Sequence, residues 1–206
     1  MRLLLIVLTA LAASGCAVGN KHGYNIGPDL AVQGTRSVGV VAQDARPYVL
    51  TREKTPDFVG VQRGGFGNPF NITTDSGRPL ADDFSMAIVN SLSRKGFKST
   101  ALSVAPGSAA DARALAARAG AERLALVMIH EWKSDTYQNT ALHHDLILRV
   151  FDANGSELAN NRIAGRTDLG GSAINPPSHA KIAVPQFYRK TLEELFGADA
   201  IVKSLR

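Results

Sequence analysis

The dipeptide Asn154-Gly155 is the strongest local folding signal in this sequence. Asn-Gly is the preferred sequence of a two-residue type I′ turn, because both central residues of that turn require a positive φ. Apolar residues alternate with polar ones on both sides of the dipeptide. The turn therefore predicts a β-hairpin in which Leu146 lies opposite Ile163 and Val150 lies opposite Ala159.

The same register places Phe151 opposite Leu158 and assigns the side chains of both strands to two faces, because successive residues of a strand point in opposite directions. The face predicted to be core carries Leu142, Leu146, Leu148, Val150, Ala159 and Ile163. The face predicted to be exposed carries His143, Asp145, Arg149, Arg162 and Arg166. On the exposed face, Asp145 lies diagonal to Arg162 and Arg166, within reach of ion pairs.

Three other segments have the apolar spacing of helices. The first begins after Pro79 and ends before Gly96, and its apolar face consists of Leu80, Phe84, Ile88 and Leu92. A capping box of Ser108 and Asp111 opens the second. The third is C-terminal, and we expect it to begin near Pro185, where a missing N–H group costs nothing.

The remaining apolar runs have the length and composition of strands. Residues 37–42, 58–62 and 97–104 are predicted strands, and the continuous apolar run 124–129 is predicted to be a central strand buried on both faces. Together these elements predict an α+β fold, a two-layer sandwich in which a mixed β-sheet carries two or three helices on one face.

The N-terminal stretch 3–16 predicts export. Arg2 precedes an apolar run too short to span a bilayer as a helix, and small residues follow that run; these are the parts of a secretory signal. The small residues before Cys16 form a lipobox, so its thiol is predicted to carry a diacylglyceryl group alongside fatty acyl chains such as palmitate. We therefore predict a signal peptide at 1–15, a lipidated cysteine and flexible tether at 16–36, and one periplasmic domain at 37–206.

Lipidation at Cys16 predicts a location as well as an anchor. Two or three acyl chains anchor a protein stably, whereas a single chain does not. The residue after the cysteine is Ala17. Because bacterial lipoproteins are sorted by the residue at this position, alanine in place of aspartate favours the outer membrane. We expect the domain to lie on the periplasmic face of that membrane. A spare thiol after an ordinary cleaved signal is the alternative interpretation of Cys16.

The charge of the chain argues against a nucleic-acid partner. Lys and Arg number 23 against 18 Asp and Glu, a net charge of +5. This excess is modest, and the sequence has neither a long basic run nor aromatic residues interleaved with basic ones to stack on bases. Since Cys16 is the only cysteine, we expect burial of apolar surface, and no disulfide within the chain, to stabilise the domain.

The sequence contains no recognised catalytic motif. His143 and His144 are adjacent, but neighbours in a strand point to opposite faces and cannot share one metal ion without distortion. His130, His143 and Asp145 could be combined into an acid and base set, but nothing in their spacing requires that they lie together. G-x-S-x-G, H-E-x-x-H and phosphate-loop motifs are absent. We expect no enzymatic activity, no cofactor and no metal, with an envelope hydrolase as the least favoured alternative.

Asp44 and Arg46 are candidate ligand-binding residues because they follow the first predicted strand. A carboxylate and a guanidinium just beyond the end of a strand can line a cleft for a small ligand or a glycan. An Asx turn before Pro47 explains the same residues without any ligand, and we favour the turn.

Phe66 and Phe70 are candidate partner-binding residues within the Gly-rich stretch 64–77, which is predicted to be a long loop. A second loop is predicted at 170–178. Exposed aromatic side chains on such a loop would suit partner binding, whereas aromatic side chains folded back over the sheet edge would suit stability. Both loops are candidate contact surfaces for a protein partner.

Several short patterns in this sequence resemble the YajG-type group of small bacterial lipoproteins. They are the lipobox, a first strand followed by Asp44 and Arg46, a Gly-rich stretch, and a helix that Pro79-Leu80-Ala81-Asp82-Asp83 opens and Lys95-Gly96-Phe97 ends. The resemblance implies a small α/β envelope lipoprotein without an established enzymatic activity. We therefore expect a membrane-anchored binding or accessory module with an envelope protein partner. A lipoprotein that binds a small ligand or a glycan is the alternative.

Overall fold

An eight-stranded mixed β-sheet and five helices make up residues 20–109 and 111–206, the part of the chain that the computed structural model describes. Cys16 and the predicted signal peptide lie outside the described residues. The strands are β1 (Lys21–His22), β2 (Ser37–Asp44), β3 (Phe58–Arg63), β4 (Pro69–Thr74), β5 (Lys98–Leu102), β6 (Arg123–Thr136), β7 (Asn139–Asp152) and β8 (Glu157–Gly171). The helices are α1 (Pro47–Leu50), α2 (Leu80–Arg94), α3 (Ala112–Ala119), α4 (Pro176–Gly197) and α5 (Asp199–Leu205). The α+β prediction is confirmed.

Strand β6 is the centre of the sheet because three strands pair along its length. One edge of β6 pairs antiparallel with β7. The other edge is shared: residues 123–129 pair parallel with β2, and residues 134–136 pair parallel with β3. Neither strand pairs with residues 130–133, so the sheet forks there. The strand order is β1-β4-β3-β6-β2-β5, with β7 and β8 added beside β6.

The β7–β8 hairpin confirms the predicted register but not the predicted turn. Leu146 lies opposite Ile163 and Val150 lies opposite Ala159. The prediction of a type I′ turn is wrong, because only Gly155 of the central dipeptide has a positive φ, +83°. The structure has a three-residue turn with glycine in the left-handed position, the next most common hairpin loop.

A register shift of one residue next to that turn lets most of the hairpin keep the predicted pairing. Phe151 lies opposite Glu157, so its predicted pairing with Leu158 is wrong, and the register shifts by one residue between Val150 and Phe151. On the exposed face, Arg162 donates two hydrogen bonds to Asp145, at 2.9 and 2.8 Å. The predicted diagonal ion pair between Arg162 and Asp145 is therefore confirmed.

Helices cover both faces of the sheet near β2, so the prediction of helices on one face is wrong. α2, α4 and α5 pack on one face, in a core that includes Val38 and Val40. α3 packs on the opposite face with Val41, Leu124 and Leu126. The physical reason is that β2 and the first half of β6 are apolar on both faces, and a strand of that kind requires cover on each side.

The prediction of a flexible tether over 16–36 is wrong for the residues from β1 (Lys21–His22) onward. β1 pairs parallel with β4, and the side chains of Tyr24, Leu30 and Val32 are buried in the main core. The Tyr24 ring lies 5.1 Å from the Tyr188 ring and 6.2 Å from the Phe84 ring, measured between centroids. This segment therefore belongs to the folded domain.

Three predicted element boundaries also change. Residues 69–74 of the predicted loop form β4, because β-branched residues follow a proline at the first strand position. α3 begins after Asp111, whose carboxylate accepts a hydrogen bond from the Ala114 N–H group at 3.1 Å, so Ser108 is not its cap. α4 begins at Pro176 and contains Pro185, because burial of its apolar face offsets the lost backbone hydrogen bond.

Among the described residues, no helix combines the length and apolar character required to cross a bilayer.

Candidate functional site

Asp44 and Arg46 form a buried ion pair at the fork in the sheet. Arg46 is 0% exposed and Asp44 is 2% exposed. Arg46 donates from Nε to Asp44 Oδ1 at 2.8 Å and from Nη2 to Asp44 Oδ2 at 2.6 Å. Its remaining donors bond to backbone carbonyl oxygens of Pro56, Phe58 and Trp132. The guanidinium thus has five hydrogen bonds within the domain.

The position of Arg46 explains why the chain buries this charge. β2 ends where β6 loses its partner, and the Ala45 N–H group makes one more bond to Ile129 O at 2.9 Å. The Arg46 guanidinium then donates to the carbonyl oxygen of Trp132 in β6 and to those of Pro56 and Phe58, just before and at the start of β3. It therefore connects the two strands at the fork. Burial alone would lower the pKa of Arg46, but hydrogen bonds and charge from Asp44 outweigh it and raise that pKa.

This geometry corrects the interpretation of Asp44 and Arg46 as ligand-binding residues. Both side chains are closed to solvent, and the donors of Arg46 are engaged within the domain. The Arg46 N–H group also donates to Asp44 Oδ1 at 3.2 Å, which is the predicted Asx turn. The pair therefore stabilises the junction of β2, β3 and β6.

An open cleft lies beside this junction, where the chain continues beyond the carboxyl ends of β2 and β5. It has a volume of about 490 Å³. The residues that line it are Val49, Leu50, Arg52, Lys54, Thr55, Pro56, Ala105 and Pro106. In parallel sheets, crevices at the carboxyl ends of strands are common binding positions. Apolar side chains and two cations make this cleft suitable for an apolar ligand or peptide that carries negative charge.

The backbone of Arg52 is strained beside that cleft. Its φ is +64°, the only positive value among the non-glycine residues that the structure describes. A left-handed conformation at such a residue costs about 1–3 kcal/mol and persists only where the surroundings impose it. The cleft was not predicted from the sequence, although a charged segment that follows a strand of a parallel sheet is a signal that could have indicated it.

Phe66 and Phe70 lie on the β3–β4 hairpin, not on one long loop. Phe66 is fully exposed at the turn. Phe70 lies within β4 opposite Gln62 and is half-buried. The structure does not bring either of them to Asp44 and Arg46. The four candidate residues therefore do not form one site.

The adjacent histidines diverge, as predicted. The His144 ring is mostly buried over Gly165 and lies 5.2 Å from the Phe187 ring between centroids. Burial lowers its pKa. His143 instead lines a polar cleft with Arg166. Across residues 20–109 and 111–206, no three His, Cys, Asp or Glu side chains are arranged to hold a metal ion.

His22 is expected to make the stability of the domain depend on pH. Burial, and then the nearby charge of Lys181, lower its pKa from 6.5 to about 4. Because the unfolded chain binds the proton more tightly, stability is lost as the pH falls from about 6.5 to about 4. Each tenfold difference in proton affinity is worth about 1.4 kcal/mol, so the loss is about 3 kcal/mol.

Urea unfolding at pH 7.5 and pH 4.5 measures this loss. His22→Gln removes the titrating group, so the difference in unfolding free energy between the two pH values should shrink relative to the unmodified protein. His143→Gln is the control, because its side chain is only half-buried. An equal pH dependence in all three proteins would show that His22 is not the responsible group.

Comparison with known proteins identifies a related fold. No protein-family model matches the sequence, and no curated protein is similar to it. The structure is similar to the crystal structure of a Xanthomonas campestris protein of the DUF330 family model, with a TM-score of 0.56 and 13% identity over 90% of this chain and 97% of that chain. It shares the fold of that protein.

Two further structures are less similar. PelC from Paraburkholderia phytofirmans, a dodecamer in its crystal, has a TM-score of 0.40 and 17% identity over 84% of this chain and 94% of that chain. Lipoprotein GNA1162 from Neisseria meningitidis has a TM-score of 0.33 and 13% identity over 74% of this chain and 97% of that chain.

Proposed function

We propose that this protein is a lipid-anchored module of the bacterial outer membrane that binds an envelope protein partner through its periplasmic domain. The observation that carries the proposal is the N-terminal stretch 3–16, in which an apolar run and small residues lead to the sole cysteine. The YajG-type patterns around Asp44 and in α2 support the same assignment.

The partner-binding surface in this proposal is the cleft beside the Asp44–Arg46 junction. Leu50 is 46% exposed there and is bordered by the cations Arg52 and Lys54. An apolar peptide segment with acidic residues would match this surface in both shape and charge. The rigid junction behind it supplies a preorganised support, which reduces the entropic cost of binding.

A binding role without catalysis is part of the proposal. The acid and base set considered from the sequence would need the carboxylate of Asp145, and both of its oxygens accept hydrogen bonds from Arg162. That ion pair lowers the pKa of Asp145, so the group is poorly suited to accept a proton at neutral pH. These contacts favour a structural role for Asp145.

Binding of a small ligand is the second candidate function, and the volume of the cleft favours it. At about 490 Å³, the cleft lies within the range of small-molecule sites, roughly 300–1,000 Å³. An apolar acid would place its anionic group beside Arg52 and Lys54. A glycan fits less well, because apolar side chains predominate in the lining.

The proposed function is tested by cross-linking intact envelopes and purifying the tagged protein. Wild type is expected to carry a diacylglyceryl mass on Cys16 and to retain a protein in stoichiometric amount. Cys16→Ser, which cannot be lipidated, should lose membrane attachment and the partner together. Absence of the lipid mass from the wild-type protein would reject the anchor, whatever partner is found.

A matched pair of leucines tests the cleft. Leu50 is 46% exposed in the cleft, and Leu158 is 44% exposed beside the β7–β8 turn. Leu50→Asp should remove at least nine-tenths of the captured partner, whereas Leu158→Asp should retain it. Equal capture by both variants would contradict partner binding in the cleft. A small organic molecule recovered with wild type and lost with Leu50→Asp, without any protein, would favour the second candidate.

A further inference from the structure

Three turns expose large apolar side chains at one end of the sheet. They are the β3–β4 turn with Phe66, the β6–β7 turn with Tyr137, and the β8–α4 connection with Ile174. Phe66 and Ile174 are almost completely exposed, and Tyr137 is 45% exposed. We call these three residues the apolar end.

The pairing of the strands brings the three turns together. β3 runs parallel to β6 and leads into its turn beside the end of β6. Two hydrogen bonds then connect neighbouring turns: Tyr137 donates from its hydroxyl group to Gly65 O at 3.4 Å, and the Ser172 N–H group donates to Gln138 O at 3.2 Å. The three turns that carry the apolar end are therefore neighbours at one end of the sheet.

The described part of the chain begins on a strand that runs away from this surface. β1 runs parallel to β4, with Lys21 opposite Thr73. Because β4 starts at Pro69, next to the Phe66 turn, the direction from Lys21 back toward the N-terminus points to the apolar end. Cys16 lies four residues before Asn20. Asn20 is level with Ile72, three residues or about 10 Å along β4 from Pro69. Four residues span at most about 14 Å, so the predicted anchor can reach the level of the apolar end.

We propose that the apolar end rests on the lipid bilayer and inserts Phe66 and Ile174 into its interface. This inference rests on the proposed lipidation of Cys16. Aromatic and aliphatic side chains next to a lipid anchor are suited to the boundary between headgroups and acyl chains.

The chemistry beside Tyr137 fits the level of the lipid headgroups. A polar cleft of about 320 Å³ lies there. Its charged and titratable lining residues are Asp135, His143, Arg166 and Asp168. Groups of both charge signs suit zwitterionic headgroups, so the surface combines apolar tips with a polar border. In this orientation, the β7–β8 turn at the opposite end of the sheet points into the periplasm.

Single labels on the lipidated protein test the orientation. Since Cys16 is the only cysteine and lipidation consumes its thiol, a cysteine introduced by Phe66→Cys, Ile174→Cys or Asn154→Cys can be labelled alone with the fluorophore NBD. Each protein is reconstituted in vesicles of phosphatidylethanolamine and phosphatidylglycerol. Lipids that carry a doxyl quencher should strongly reduce NBD fluorescence at positions 66 and 174 and leave position 154 unchanged.

The possible outcomes separate this inference from the proposed function. Equal quenching at all three positions, or quenching at none while the protein stays on vesicles, overturns the inference and leaves lipid anchoring intact. A second NBD label on Cys16, or failure to bind vesicles, rejects the anchor itself. Labels at 66 and 174 that are shielded only after an envelope protein is added would identify a protein interface and also overturn the inference.

Discussion

Arg46→Ala is expected to lower the free energy of unfolding by about 3–5 kcal/mol. The substitution leaves the Asp44 carboxylate buried without its cation and removes three donors to backbone carbonyl groups at the fork in the sheet. The carboxylate and the carbonyl groups of Phe58 and Trp132 are buried, so solvent cannot replace the lost bonds there. Urea unfolding followed by circular dichroism measures the loss as a lower midpoint.

Arg63→Ala is the matched control for this prediction. Arg63 makes a similar bidentate contact with Asp135, at 2.8 and 2.6 Å, but both side chains are partly exposed. Such pairs are worth about 0–1 kcal/mol. Losses of equal size in the two variants would contradict a special role for the buried pair. A folded Arg46→Ala protein of unchanged stability would return Arg46 to the list of candidate binding residues.

Tyr24→Ala is the second substitution with a large expected effect, a loss of about 3–5 kcal/mol. Tyr24 is buried among Phe84, Trp132 and Tyr188, and its hydroxyl oxygen accepts a hydrogen bond from Trp132 Nε1 at 3.0 Å. Removal of the ring leaves a cavity in the core and an indole N–H group without its partner. Thermal unfolding should show a lower midpoint.

Two variants of the same segment separate the contributions. Tyr24→Phe keeps the ring but removes the acceptor for the indole N–H group, which costs about 1–3 kcal/mol. Ile26 is 41% exposed, so Ile26→Ala should change stability by no more than roughly 0.5 kcal/mol. If Tyr24→Ala were as mild as Ile26→Ala, residues 20–36 would act as the flexible tether that the sequence predicted.

Local signals in the sequence predicted the elements that have their own periodicity. The alternation around Asn154-Gly155 gave the register of β7 and β8 because one face of the hairpin had to be apolar. The type of turn was not predictable from the dipeptide alone. The Asp152 carboxylate accepts bonds from the N–H groups of Asn154 and Ser156, both at 2.9 Å, and this favours a longer turn.

The N-terminal segment was mispredicted because its structure depends on distant residues. Tyr24, Leu30 and Val32 have no regular spacing, so periodicity gives no signal. All three are buried in the main core, where Tyr24 contacts α2, β6 and α4, and only the complete fold provides these contacts. The cover of β2 was mispredicted for a similar reason: its apolar sequence shows that both faces are buried, but not which helix lies on each.

The candidate residues illustrate the same limit. The sequence placed Asp44 and Arg46 at the end of a strand, and the structure agrees, but the fork that encloses them exists only because β2 and β3 share one edge of β6. Phe66 was recognisable as a residue of a polar, Gly-rich turn. The parallel pairing of β1 with β4, which directs the chain before Lys21 toward the Phe66 end of the sheet, had no signal in the sequence.

The aromatic cluster around Tyr24 bears on the export that we propose. Tyr24 lies near the beginning of the domain, and Tyr188, whose ring it contacts, lies near the end. The core that joins them cannot close before α4 is available to pack against Tyr24. In the proposed export, a chain that crosses the membrane N-terminus first would therefore complete this core only after most of it has emerged.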